Sequence, residues 1–337
     1  MLVWAGNEAD PGVLYFYNAE NERMTEMLQF RPQIDHRKLA RPTAFTYTAR
    51  DGHDIRAFLT LPKGREPSAL PLIILPHGGP FGIRDKLVYN DEVQFLANRG
   101  YAVIPPNFRG SGGYGTSFYD LGIGEVGRGM QNDLDDAMDW AVKEGIADPN
   151  RVCIVGGSYG GYAALWGVLR NPERYRCAAS WAGVTDWDKM LNYDRRYMTR
   201  KQGRRWTAKI EGDNDTNLND VSPYHLAENL NRPVLLAHGT IDDNVPFKQY
   251  ELMLKAARSA PSKPTPLVIE GEGHSFSYAT SEQKWYDALD SFLAKHNPAD
   301  QIDANGDLMK AEEKGQESIF RPINLPESAG GNAKAGD

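Results

Sequence analysis

The sequence predicts an α/β protein with a mostly parallel sheet that carries helices on both faces. Continuous apolar runs of four or five residues alternate with helical patterns over residues 42–297. Such short runs indicate strands that are buried on both faces, and these occur mainly in parallel sheets. The predicted strands are 72–75, 102–105, 151–155, 177–181, 234–237 and 267–269, and the predicted helices lie near 91–99, 133–144, 160–169, 247–257 and 282–295.

A hairpin is predicted to precede the parallel strands, and it brings the sheet to eight strands. The Asp51-Gly52 pair between the runs 45–48 and 55–61 is a strong hairpin turn signal. Residues 1–41 read differently, as a β-hairpin (13–17 and 24–30) followed by a linker. Residues 298–337 are rich in Asp, Glu, Gly and Lys without periodicity, which predicts a disordered tail.

Composition limits the classes of partner. The chain has 38 basic and 45 acidic residues, and this mild acidity argues against a nucleic-acid partner. No apolar run reaches the ~18 residues that a membrane-spanning helix needs. The apolar start Met1–Ala5 is interrupted by Glu8 and Asp10, so we expect no signal peptide and a cytoplasmic location. The basic residues between 195 and 205 are interpreted as a solvated segment.

The two cysteines, Cys153 and Cys177, lie in separate apolar runs. We predict that both are free buried thiols rather than a disulfide. Neither has a neighbour with metal-ligand spacing. We likewise predict that the chain needs no cofactor and holds no metal ion, because no His, Cys or carboxylate cluster has the spacing of a metal site.

The chemistry is indicated first by a serine between two glycines. Gly156-Gly157-Ser158-Tyr159-Gly160 follows one predicted strand directly and precedes a predicted helix. This context is typical of a nucleophile elbow, where the sharp turn exposes the serine hydroxyl and excludes bulky neighbours. The turn also places Ser158 at a helix N-terminus, where backbone donors favour developing negative charge. The sequence therefore predicts that Ser158 is a nucleophile.

An acid and a base follow in the order that such a site requires. Asp242 and Asp243 come just after the predicted strand 234–237, and His274 comes just after the strand 267–269. The carboxyl ends of parallel strands meet at one edge of a sheet, so we expect these side chains to meet Ser158. His274 is predicted to accept the serine proton, and an aspartate to orient the imidazole.

Two backbone N–H groups are expected to bind the oxyanion of the reaction intermediate. One is that of Tyr159, which follows the nucleophile. The other is predicted in the loop His77-Gly78-Gly79-Pro80 after the strand 72–75, because glycines let the backbone approach a substrate oxygen closely.

These residues resemble the catalytic domain of the prolyl oligopeptidase family of serine peptidases, especially its acylaminoacyl-peptidase and dipeptidyl-peptidase branches. The resemblance covers residues 42–296 and implies the α/β-hydrolase fold. The strings that carry it are 77–80 (HGGP), 107–111 (NFRGS), 113–115 (GYG), 145–149 (GIADP), 156–162 (GGSYGGY), 238–245 (HGTIDDNV) and 273–274 (GH).

The resemblance also implies roles for individual residues. It identifies Asp242 as the acid of the triad and Gly79 as the second oxyanion donor, and it suggests that Asn244 binds a substrate carbonyl. It further implies that residues 1–41 are the last piece of a β-propeller and its linker. An apolar substrate pocket is implied to be lined by Tyr159, Val184, Trp187, Val245 and Met190, although Trp187 and Met190 also fit simple core packing.

The sequence leaves two candidate functions for this chain, and we favour the first. An intact hydrolytic centre without the gating propeller of full-length relatives predicts a carboxylesterase acting on short- to medium-chain esters. The alternative is a serine peptidase that releases acylated or apolar N-terminal residues from short peptides. A binding protein without catalysis would need a broken triad, and none of the three residues is missing. The unpaired edge of the first hairpin suggests a homo-oligomer.

Overall fold

The computed structural model describes residues 1–212 and 217–300. Most of the predicted tail, 298–337, lies outside the described residues. The strands are β1 (Leu2–Asn7), β2 (Asp10–Asn18), β3 (Arg23–Gln29), β4 (Thr43–Thr48), β5 (Asp54–Leu59), β6 (Leu70–Ile74), β7 (Ala102–Ile104), β8 (Pro106–Asn107), β9 (Ala147–Gly157), β10 (Cys177–Trp181), β11 (Val234–Gly239) and β12 (Thr265–Ile269). The helices are α1 (Asp91–Asn98), α2 (Thr116–Asp120), α3 (Gly129–Lys143), α4 (Tyr159–Arg170), α5 (Trp187–Asp194), α6 (Arg200–Glu211), α7 (Pro223–Leu226), α8 (Lys248–Ala256) and α9 (Ala279–His296).

A six-stranded parallel sheet forms the centre of the fold, in the order β12-β11-β10-β9-β6-β7. Every residue of β6 and β10 is buried, as their continuous apolar sequences predict. The six strands that the sequence predicted as parallel are therefore confirmed. Their carboxyl ends meet along one edge, where the loops that follow β6, β9, β11 and β12 are gathered.

Helices cover both faces of this sheet, as predicted. Alternate residues of β6 point into two separate hydrophobic clusters: Leu72 and Ile74 into one, and Ile73 into the other. The first cluster contains buried residues of α3, α4 and α8, and the second contains buried residues of α1 and α9. The α/β-hydrolase fold is confirmed by this arrangement.

The predicted hairpin does not extend the central sheet as a continuous ladder. Strand β5 pairs with β4 on one side and with the short β8 on the other, in a three-stranded antiparallel sheet of their own. A single antiparallel bridge between Thr60 and Val103 joins the hairpin to β7, with N–H to O distances of 3.0 and 2.9 Å. Pro105 and Pro106 follow directly and lack the N–H groups that further ladder bonds would use. The eight predicted strands are thus present, six of them in the parallel sheet.

The N-terminal residues form a three-stranded antiparallel sheet, β1-β2-β3. The predicted hairpin corresponds to β2 and β3, whereas β1 was not predicted because its apolar run is short and soon interrupted by charge. All of β3 is exposed, on both faces. Exposed apolar side chains of this sheet are Leu2, Trp4, Phe16, Met24, Met27 and Leu28.

The prediction of free thiols was wrong, because Cys153 and Cys177 form a disulfide. The two residues lie opposite each other on the neighbouring strands β9 and β10, and their Cα atoms are 4.8 Å apart. Strand register decides this pairing. The sequence shows two apolar runs, 24 residues apart at their cysteines, but not that they are adjacent in register.

Replacement of both cysteines by alanine is expected to lower the free energy of unfolding by about 3 kcal/mol, because the bond restricts the unfolded chain. Urea unfolding without reductant measures the difference. Thiol titration of the unmodified protein in denaturant provides the control and should find no free thiol. Two titratable thiols in protein that was never exposed to reductant would contradict the assignment.

Candidate active site

Ser158 occupies a strained turn between β9 and α4. Its backbone has φ 59° and ψ −123°, a conformation that side-chain-bearing residues rarely adopt. Close packing of the backbone keeps the turn in this shape. A Cβ atom on Gly160 would lie 2.1 Å from the carbonyl oxygen of Pro76, and one on Gly156 would lie 2.7 Å from the carbonyl carbon of Gly160. The two flanking glycines are therefore required by the turn.

Asp242 and His274 meet at the ends of the neighbouring strands β11 and β12. The Nδ1 atom of His274 lies 2.8 Å from Oδ2 of Asp242, whose side chain is buried. The other carboxylate oxygen accepts the backbone N–H groups of Asn244 and Val245, each at 2.9 Å. Asp243 is exposed. The first aspartate of the pair is therefore the one that contacts the histidine.

A second histidine, His238 at the end of β11, contacts the same carboxylate. Its Nε2 atom lies 2.8 Å from the carbonyl oxygen of Val245 and 3.3 Å from Oδ2 of Asp242. Because a carbonyl only accepts, this nitrogen carries the proton. Burial opposes ionisation of Asp242, but the hydrogen bonds from His238 and His274 outweigh it and hold the pKa of Asp242 well below its usual range. Asp242 is thus a stable anion.

The loop that carries His274 is fixed from both sides. The buried carboxylate of Glu272 accepts the N–H groups of Ser277 at 2.8 Å and Tyr278 at 3.1 Å. Trp181 at the end of β10 donates its indole N–H to the carbonyl of His274 at 2.9 Å, and its own carbonyl accepts the N–H of Ser158 at 2.8 Å. These supporting residues were not predicted from the sequence, because only their position at the ends of strands indicates a role at the site.

The loop after β6 lies against the nucleophile. A Cβ atom on Gly78 would be 3.3 Å from Cβ of Ser158, so the absence of a side chain allows this approach. Gly79 has φ 127°, which favours glycine. His77 supports the loop: its Nδ1 atom lies 2.7 Å from the carbonyl oxygen of Gly78, and its Nε2 atom lies 2.8 Å from Oγ of Ser111. Burial lowers the pKa of His77 to about 4, so its ring is neutral.

Ser158, His274, Gly78 and Gly79 line one cavity of about 460 Å³. The nucleophile and base predicted from the sequence are thus brought together, with the predicted oxyanion loop beside them. Tyr159, the other predicted oxyanion donor, is the first residue of α4 and is buried.

The structure places the predicted pocket residues in the buried core. Val184, Trp187, Met190 and Val245 are buried in the main hydrophobic cluster together with Tyr159. None of these four is among the described residues that line the 460 Å³ cavity. The aromatic rings of Tyr159 and Trp187 are 6.4 Å apart, so this cluster adjoins the nucleophile turn. Asn244 is exposed on the loop after Asp242.

Two carboxylates that sequence analysis did not single out also line the cavity, Asp85 and Glu92. Oδ2 of Asp85 is buried and has no hydrogen-bond partner among residues 1–212 and 217–300. Burial raises the pKa of Asp85 to about 7, and the charge of Glu92 adds to the rise. Burial likewise raises the pKa of Glu92 to about 7, against a hydrogen bond from Trp285 that lowers it.

Comparison with known proteins gives the family. The family model described as "Prolyl oligopeptidase family" matches residues 88–298, which is more than half of the chain. The chain belongs to the prolyl oligopeptidase family. It carries a serine hydrolase domain of that family, with the fold that the structure shows.

Individual relatives agree with this assignment. The chain is 32% identical over 307 residues to dipeptidyl aminopeptidase BIII of Pseudoxanthomonas mexicana, covering 88% of this chain and 44% of the relative. A puromycin-hydrolyzing peptidase of Mycobacterium tuberculosis superposes with a TM-score of 0.76 at 25% identity, covering 88% and 45%. The fold is shared with the Pyrococcus horikoshii acylaminoacyl peptidase, with a TM-score of 0.74 at 21% identity and coverage of 88% and 48%.

The chain spans about half the length of these relatives. Within the part that the structure describes, no helix is both long and apolar enough to cross a bilayer.

Replacement of Gly160 by alanine should abolish the elbow, because the added methyl would overlap the Pro76 carbonyl oxygen. We expect a loss of about 3 kcal/mol or more in the free energy of unfolding, or no folded protein. Thermal and urea unfolding measure this. Gly203→Ala is the matched control: it lies in α6, its Cβ would meet its nearest atom at 3.5 Å, and alanine favours a helix. Equal stability of the two variants would contradict the packing described for Gly160.

Replacement of Asp85 by asparagine should change how stability depends on pH. The pKa of Asp85 is about 7 in the folded protein, whereas an unfolded aspartate ionises near pH 4. The native protein therefore loses stability relative to the Asp85→Asn variant as pH rises from about 4 to 7, and the difference levels off above that. Between pH 5 and pH 8, urea unfolding should show the variant gaining about 2 to 3 kcal/mol relative to the native protein. A difference that does not depend on pH would count against this assignment.

Proposed function

We propose that this chain is the catalytic part of a serine peptidase that cleaves short peptides or acylated amino acids through an acyl-enzyme. The observation that carries the proposal is that Ser158, in its strained turn, lines the same cavity as His274, whose imidazole contacts Asp242. The family and the names of its relatives support the peptidase class.

The proposed chemistry follows from which atoms are occupied. Nδ1 of His274 is engaged by Asp242, which leaves Nε2 as the base that accepts the Ser158 proton. The Ser158 oxygen attacks the substrate carbonyl, and the protonated histidine then gives its proton to the leaving amine. Asp242, held as an anion, stabilises the imidazolium during this transfer. Water releases the acyl group in a second cycle of the same steps.

The oxyanion is assigned to the N–H groups of Tyr159 and Gly79. Tyr159 begins α4, so its N–H is one of the donors that have no partner within the helix. Gly79 belongs to the loop whose preceding glycine packs directly against Ser158. On the acyl side, we assign carbonyl binding to Asn244. An apolar wall formed by Tyr159, Val184, Trp187, Val245 and Met190 stays a prediction, because these side chains are buried and do not line the 460 Å³ cavity.

The comparisons support the peptidase alternative better than the carboxylesterase that we favoured from the sequence. The relatives named above are peptidases, and each name refers to the cleavage of an amide bond. An activated ester has a better leaving group than a peptide, so the same centre is expected to accept esters as well. Cleavage of amides is therefore the activity that distinguishes the two functions.

Residues 1–41 are proposed to be the end of a propeller and its linker. The exposed apolar side chains of the sheet β1-β2-β3 support this, because such a surface is usually covered by further protein. A second copy of the chain is the other possible cover, which would make a homo-oligomer. Light scattering distinguishes the two alternatives. A dimer would support a second copy of the chain as the cover, and a monomer would rule that copy out.

Replacement of Ser158 by alanine should lower kcat/KM at least about 10³-fold on any acyl substrate, because the nucleophile is lost. Hydrolysis of p-nitrophenyl butyrate provides the measurement. Ser117→Ala, at an exposed serine of α2, is the matched control and should retain activity. Retention of activity by the Ser158→Ala protein would refute the assignment of the nucleophile.

The peptidase proposal is tested by comparing that ester with acylated and free-amine aminoacyl nitroanilides. We expect Ser158-dependent cleavage of at least one nitroanilide. Cleavage of the acylated series points to the acylaminoacyl type, and cleavage of the free-amine series to the dipeptidyl type. Rapid ester cleavage with no detectable nitroanilide cleavage would instead restore the carboxylesterase function for this chain.

A further inference from the structure

The cavity beside Ser158 contains acidic groups that the proposed reaction does not use. Asp85 lies in the segment between the oxyanion loop and α1, and Glu92 lies in the first turn of α1. Both line the cavity together with Ser158 and His274. Burial disfavours the ionised form of both carboxyl groups, and the charge of Glu92 adds to this effect at Asp85, so a bound cation would stabilise the ionised pair.

The described residues that line this cavity include no lysine or arginine. Two neighbouring arginines contact other groups. Arg31 pairs with Asp91 at 2.8 Å, and the exposed Arg84 side chain reaches the carbonyl of Gly113 at 3.4 Å. Oδ2 of Asp85, buried in the described structure without a hydrogen-bond partner, is the kind of acceptor that a bound ammonium or guanidinium group would satisfy.

The position of the cavity relative to the triad identifies the part of the substrate that enters it. The oxyanion-loop residues Gly78 and Gly79 line the cavity. Ser275, which follows His274, and Gly157, which precedes the nucleophile, also line it. His274 is the group that protonates the leaving amine. A group bound in this cavity would lie beside the base that protonates the leaving amine, and on that ground we place it on the leaving-group side of the scissile bond.

We propose that Asp85 and Glu92 form an anionic leaving-group subsite that selects peptides with a lysine or arginine side chain directly after the scissile bond. The subsite rests on the proposed hydrolase function, because the scissile bond is defined by Ser158 and His274. Its chemistry is a charge-assisted pair with a cationic side chain, and it requires no group other than the two carboxylates.

The first test measures binding without turnover. Calorimetric titration of the Ser158→Ala protein compares acetyl-Phe-Lys-amide with acetyl-Phe-norleucine-amide, which differ only in the side-chain ammonium. The C-terminal amides avoid a carboxylate that the subsite would repel. We expect the lysine peptide to bind about tenfold more tightly, since a hydrogen bond to a charged group has this magnitude. Addition of Asp85→Asn and Glu92→Gln to the Ser158→Ala protein should remove the difference.

The second test measures the same selectivity in catalysis. In the native protein, kcat/KM for the lysine peptide should exceed that for the norleucine peptide about tenfold. The ratio should fall towards one in the Asp85→Asn/Glu92→Gln variant, and a Glu peptide should become a better substrate there. Asp91→Asn is the matched control, because Asp91 precedes Glu92 in the same helix and pairs with Arg31 instead of lining the cavity. It should keep the native ratio.

The outcomes distinguish a failure of the anionic subsite from a failure of the proposed hydrolase function. Equal binding and cleavage of the lysine and norleucine peptides by the native site would overturn the subsite and leave the hydrolase function intact. No cleavage of any acyl substrate would overturn the function, and the calorimetric difference would still decide whether the carboxylates bind a cation. Circular dichroism will show whether the double variant is folded. If it is not, the single variant Glu92→Gln is used, and it should at least halve the ratio of kcat/KM for the lysine peptide to that for the norleucine peptide. A ratio unchanged in that folded variant would count against the role of Glu92 in the subsite.

Discussion

The carboxylate of Asp242 is the contact on which the arrangement of the site depends. One oxygen accepts two backbone N–H groups of its own loop, and the other contacts His274 and His238. A single buried anion therefore sets the shape of the loop after β11 and the orientation of the base after β12. Because these hydrogen bonds outweigh the cost of burial, the anion persists across the pH range in which the imidazole of a histidine changes charge.

The nucleophile is placed by a different kind of constraint. Ser158 is held by the close approach of backbones around it, since Gly156 and Gly160 leave no space for side chains and Gly78 leaves very little. Steric exclusion on one side of the site and a buried hydrogen-bond network on the other give two independent means of fixing the reacting groups. The parallel sheet brings both to one edge, because β9, β11 and β12 run in the same direction.

Much of this was predictable from the sequence because the signals are local. The elbow is a pentapeptide with a strand before it and a helix after it, and the order of Ser158, Asp242 and His274 follows strand ends. What escaped prediction depends on contacts between distant segments. The pairing of Cys153 with Cys177 needs the register of two strands, and the place of Asp85 and Glu92 beside Ser158 needs the path of the chain after β6. Glu272 and His238 look like ordinary polar residues until the loops around them are folded.

Trp181 contacts both halves of the site. Its carbonyl holds the N–H of Ser158, and its indole holds the carbonyl of His274. One residue of β10 thus serves as a common reference point for the nucleophile and the base. Because both hydrogen bonds come from one residue, we expect a displacement of this strand to move both groups in the same direction and to change their separation less than the position of either one. The distance between Ser158 and His274 should therefore tolerate small movements of the sheet.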